Sequence, residues 1–205
     1  GPLPNSDSSK PSGTLTTAGT LRTGRSWTYT SGGLTVAGST LVFAGTQTIS
    51  GSHTLAAVEM RGGTITIPMG SALTASGNVL LLSGSFAGTG TLTALANVDA
   101  QSGFTGGTAT LLIAGGGAQT LSQSAIATSS LPVVNIAKPS GTPTMTGPSR
   151  TNRNCNSTSG GLIATTPTMP VAAPTPPPRH HTPPPSRTTG PTTAHPPPSP
   201  PSHPH

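Results

Sequence analysis

Between Gly33 and Ile136 the apolar residues fall in pairs separated by a single residue: Leu34 and Val36, Leu41 and Phe43, Val58 and Met60, Ile65 and Ile67, Val79 and Leu81, Leu111 and Ile113, Val134 and Ile136. A spacing of two puts both members of a pair on one face of an extended strand, and the Thr, Ser or Gly between them turns the other face to water. Gly-Gly, Ser-Gly and Gly-Ser steps at 32–33, 50–52, 62–63, 76–77, 83–85 and 115–117 cut this run into segments of about 8 to 15 residues. No window sets apolar residues three and four apart, and Glu, Lys and Gln are scarce, so no helix is expected.

Many short strands leave two architectures. A sandwich core about 10 Å thick needs large side chains, and only 2% of this chain is aromatic. In a solenoid each coil packs on its neighbour, so Ala, Val, Leu and Ile suffice inside while glycine turns the corners. The pattern predicts an all-β chain wound as a right-handed parallel β-solenoid, with a string of Ig-like β-sandwich repeats as the alternative fold.

A longer period overlies the short one. Lys10–Leu34 recurs without a gap at Lys138–Leu162, an offset of 128 residues at which 15 of 25 positions are identical. The same offset sets Leu3-Pro4 against Leu131-Pro132 and His53-Thr54 against His181-Thr182. Self-similarity at a fixed interval marks a repeat architecture. It divides the chain into one full unit, residues 1–128, of about six coils; the start of a second, 129–164; and a Pro/Thr/His-rich tail, 165–205. Taken alone the tail reads as a disordered polyproline stalk that lacks the N–H donors of a ladder strand. The offset nevertheless runs on through it, with Leu55, Ala56 and Ala57 facing Pro183, Pro184 and Pro185, so it also reads as a corrupted continuation of the repeat. Both ends fall inside a repeat and no charged-then-apolar leader precedes it, so the sequence is expected to be a fragment whose export signal lies outside it. No apolar run approaches 18 residues, and no membrane span is expected within it.

The stretches TLVFAG…QTISGS (40–52), GGTITIPMGSALTASGNVLLLSGSF (62–86) and GTGTLTA (88–94) resemble the β-strand repeats of very large bacterial surface and secreted proteins, the autotransporter-passenger and filamentous-haemagglutinin-like adhesins. The resemblance covers residues 10–162. It implies display outside the cell or on its surface, a role in adhesion, and partners among host or neighbouring-cell glycans or proteins. It brings no catalytic residue with it.

Composition narrows the chemistry. The net charge of +6 arises from nine Lys and Arg against three acids, Asp7, Glu59 and Asp99. The basic residues are spread thinly and have few aromatic neighbours, so no stripe follows a phosphate backbone and nucleic acid is not an expected partner. Cys155, the one cysteine, stands where the first copy has Trp27 and allows neither an internal disulfide nor a cysteine metal site. Glycosidic chemistry needs two carboxylates within several ångströms, or acids holding a cation. Glu59 and Asp99 are about two coils apart, and neither has an acidic neighbour in sequence. His53, the only histidine before residue 180, is expected on a solvated face. The tail histidines lack Cys or carboxylate partners. These observations predict no enzyme, cofactor or metal, and a non-catalytic structural or adhesive segment of a large exported repeat protein.

Two sets of residues remain as candidate surface contacts. Trp27 and Tyr29 are either an exposed aromatic pair or large core fillers at a coil edge. Thr-x-Thr motifs occur at 14/16, 28/30, 46/48, 64/66, 91/93 and 108/110. Both threonines of such a motif share a strand face, and Thr64, Thr66, Thr91 and Thr93 are singled out as a hydroxyl array. An ice-binding or carbohydrate-binding solenoid surface is the alternative function. A regular ladder needs a constant coil, whereas the intervals between motifs run from 14 to 27 residues, which argues for ordinary outward-facing threonine.

Overall fold

The computed structural model describes residues 6–124, 128–151 and 153–164, with the backbone alone for residues 6–12 and for Ala164. Contacts divide the chain between Ala173 and Pro174, and every described residue belongs to the first unit. The tail, with both of its readings, lies outside the described residues.

The described chain is all β, with no helix, and every strand ladder in it is parallel. It is a β-solenoid of about seven turns. The Ig-like alternative is thereby excluded, since such sandwiches are antiparallel.

Each turn has three faces. The first carries β2 (Thr20–Thr23), β4 (Thr40–Phe43), the leading halves of β7 (Ala57–Ile67), β9 (Val79–Gly88) and β11 (Val98–Gly107), then β13 (Gln119–Gln123), β15 (Pro143–Thr146) and β17 (Ile163–Ala164). The second carries the start of β3 (Trp27–Thr35), β5 (Gln47–Ser50) and the trailing halves of β7, β9 and β11. β1 (Ser6–Thr16) lies beside β3 along its length. The third face is a separate sheet of six strands, β6 (His53–Leu55), β8 (Ala72–Ala75), β10 (Thr91–Ala94), β12 (Thr110–Ile113), β14 (Val133–Ala137) and β16 (Cys155–Ser159).

The apolar pairs become columns because parallel in-register stacking sets like on like. Val58, Val79, Val98, Leu121 and Met145 succeed one another on the first face, and Leu73, Leu92, Leu111 and Val134 on the third; all are buried. Phe86 and Phe104 meet edge to face at 5.3 Å inside the coil. Strands that bend from the first face to the second do so through bulges, between Met60 and Thr64 in β7 and between Ala100 and Gly103 in β11. At the trailing end of β11, Gly107 has φ +124° and a Cβ there would lie 1.7 Å from the Phe86 carbonyl oxygen, so only glycine permits this backbone approach.

The two copies of the 128-residue repeat take the same local geometry. Ser6 pairs with Trp27, Asp7 with Thr28 and Ser8 with Tyr29; Val134 pairs with Cys155, Asn135 with Asn156 and Ile136 with Ser157. A register shift follows each trio, after Ser8 in one copy and after Ile136 in the other. Glycines at matching positions share positive φ: Gly13 and Gly141 (85° and 69°), Gly19 and Gly147 (67° and 79°), Gly32 and Gly160 (106° and 84°). Their sheets differ. The Ser6–Trp27 rung belongs to the sheet through β1, β3, β5 and β7, and the Val134–Cys155 rung to the six-stranded sheet. The repeat is therefore not a whole number of turns, and the second copy sits one face further round.

Candidate functional site

The six side chains singled out from the sequence do not form one surface. Trp27 points into the coil and is 3% exposed, a core filler. Its indole Nε1–H donates to His53 Nε2 at 2.9 Å. Tyr29 is half-buried, its ring centroid 5.0 Å from that of His53, and its hydroxyl donates to the Gly32 carbonyl at 2.5 Å. His53 itself is 8% exposed, which corrects the expectation of a solvated face. It takes an inward position, in register with Leu73 of the next rung. Burial pulls its pKa down to about 4, partly offset by the backbone at Gly51. Its Nδ1 is buried, with no hydrogen-bond partner among the described residues. The neutral ring accepts from Trp27 through Nε2, so its own proton resides on Nδ1. A cavity of about 10 Å³, room for one water, lies beside Trp27, lined by Thr17, Leu21, Ser39 and Leu55 among others.

A second buried polar group escaped the sequence reading. Lys138 is 2% exposed, and its Nζ donates to the carbonyls of Gly115 and Gly117 at 2.5 and 2.8 Å and to Gln119 Oε1 at 2.5 Å. Gln119 Oε1 also accepts from Gly115 N, and its Nε2 donates to the carbonyls of Ala94 and Ala96. These bonds close the interior at the glycine-rich corner between β12 and β13. The recurrence of the Lys-Pro-Ser-Gly corner was the available signal, but nothing in sequence shows a lysine pointing inward.

Glu59 and Asp99 stand outside, in one column of the first face with Leu80 between them, in register with both. Two rungs separate their backbones by about 9.6 Å. Glu59 is ion-paired to Arg61, and Asp99 accepts from Gln101 Nε2 at 2.6 Å and from Ser122 Oγ at 2.7 Å. No cluster of three or more His, Cys, Asp or Glu able to hold a metal occurs among the described residues. Cys155 is half-buried, and burial pushes its thiol pKa up.

The threonines divide between faces. Thr64 and Thr66 lie on the second face, where Thr48 is in register with Thr66 and Thr64 N donates to Thr46 Oγ1 at 3.2 Å; Thr64 and Ser85 share a hydroxyl–hydroxyl bond at 3.3 Å. Thr91 and Thr93 lie on β10 of the third face, flanked in register by Ala72 and Thr74 on one side and Thr110 and Leu112 on the other. Comparison with protein-family models, curated proteins and solved structures finds no match.

Proposed function

We propose that this chain is a non-catalytic segment of a large exported repeat protein of the adhesin type, providing reach and a surface for attachment. The observation that carries this reading is the division of side chains: aliphatic columns fill the inside, while uncharged Thr, Ser and Asn cover much of the outside, rung after rung, with a sequence unit that recurs in the same register. Such a stack lengthens by adding rungs without disturbing those already formed. The two outward acids of the first face are engaged by Arg61, Gln101 and Ser122, an arrangement suited to holding a surface in place.

The test is retention under flow. Beads coated with the chain should be held on a glycan array or an epithelial monolayer above the level of albumin-coated beads, and soluble chain should compete. Retention equal to albumin on both surfaces overturns the adhesive reading, and turnover of a polysaccharide panel overturns the non-catalytic one.

A further inference from the structure

Thr-x-Thr intervals in sequence hide a regular ladder that only the coil register reveals. On the outer side of the six-stranded sheet, Thr54, Thr74 and Thr93 are in register on successive strands. The same rungs continue with Leu112, Asn135 and Asn156. Two residues away along the strands runs a parallel column of Ala72, Thr91, Thr110 and Val133. Successive members of the Thr54 column are 20 and 19 residues apart, and Thr91 and Thr110 are 19 apart, so over these strands the coil length is nearly constant. The irregularity in sequence arises because the ladder takes Thr54 and Thr74 from outside any Thr-x-Thr motif and only Thr110 from the motif at 108/110, while the motifs at 46/48 and 64/66 belong to another face.

Two properties mark this face. None of the five threonine hydroxyls makes a hydrogen bond within the described residues, whereas those of Thr46, Thr64 and Ser85 on the second face are bonded to their neighbours. No charged side chain stands in either column, although the protein carries a net +6. The face is thus an uncharged grid of free hydroxyls and methyls, with steps of about 4.8 Å between rungs and about 6.6 Å along a strand. Sugar faces are ordinarily held by stacking on exposed aromatic rings. Here Trp27 and all three phenylalanines are buried, and Tyr29 packs on His53.

We propose that the outer face of β6, β8, β10 and β12 binds ice. Its uncharged surface fits an uncharged partner, and its regular two-dimensional spacing suits a crystalline one. Each methyl orders a shell of water that the adjacent hydroxyl anchors into the lattice. The inference is independent of the adhesive reading, because its readout involves no cell surface and no glycan.

The experiment uses the whole chain at millimolar concentration in a nanolitre osmometer, with crystal shape recorded. The unaltered protein should facet growing ice and show thermal hysteresis. Thr74→Tyr and Thr93→Tyr, each placing a bulky ring in the grid, should abolish both effects, while Thr64→Tyr on the second face should retain them. Circular dichroism melts identify which variants are folded, and an unfolded Tyr variant is replaced by Thr74→Lys or Thr93→Lys. Absence of shaping and hysteresis in the unaltered protein overturns the proposal. So does equal loss from folded Thr64→Tyr and Thr93→Tyr.

Discussion

His53 shows how position in a coil overrides residue type. A histidine between Ser52 and Thr54 reads as surface, yet it occupies the inward register shared with Leu73 and is bonded by Trp27. Unfolded, it takes a proton near the ordinary 6.5; folded, burial delays this to about 4. Between those values the unfolded chain binds more protons, so this contribution to stability is complete above pH 6.5 and declines as the pH falls through the window. It amounts to about 3 kcal/mol by linkage. The emission of Trp27, the one tryptophan, reports it directly: urea unfolding followed at pH 7 and pH 4 should show a loss of that order. His53→Gln, which keeps an acceptor for the indole and does not titrate, should lose less. Lys138 presents the converse case, a buried amine that donates to three interior acceptors, the carbonyls of Gly115 and Gly117 and Gln119 Oε1. Lys138→Met should lower stability by about 1–3 kcal/mol, visible as an earlier urea midpoint with unchanged slope.

At the scale of strands, the alternating pairs were legible because a buried face demands apolar residues at every second position and nothing else along the chain competes with that signal. Val58/Met60, Ile65/Ile67, Val79/Leu81, Leu111/Ile113 and Val134/Ile136 are all buried as the pattern requires, while Leu34 and Val36 are half-buried. What could not be read was which strands share a face. Coil lengths vary with the loops at the corners, and a few residues more or less move a motif to a different rung, which is why Thr64/Thr66 and Thr91/Thr93 look equivalent in sequence and lie on different sheets. The corners themselves depend on glycine to unequal degrees. Gly107→Ala places a methyl group against the Phe86 carbonyl at φ +124° and should cost more than about 3 kcal/mol or prevent folding. Gly38→Ala, at φ +70° with open space around it, carries only the left-handed backbone penalty of about 1–2 kcal/mol. Thermal melts of the two variants, compared with the unaltered chain, should separate them clearly.

For the molecule as a whole, the 128-residue period visible in sequence proves to be a period of register rather than of direction. The matching rungs Ser6–Trp27 and Val134–Cys155 have the same pairing and the same bulge on different sheets, so equivalent side chains of the two copies face different ways. Trp27 lies in the core beside His53, while its counterpart Cys155 is half-buried in the six-stranded sheet next to Val134. This stacking is open to one direct test. Adjacent strands place Val134 and Cys155 about 4.8 Å apart, within disulfide reach, and put Leu111, two rungs away, at about 9.6 Å, beyond it. Val134→Cys should close a disulfide with Cys155 on mild oxidation at alkaline pH, seen as a monomer two hydrogens lighter, while Leu111→Cys should keep two free thiols. A Leu111→Cys variant that closes as readily as Val134→Cys, or a folded Val134→Cys variant that does not close at all, would contradict the parallel in-register coil.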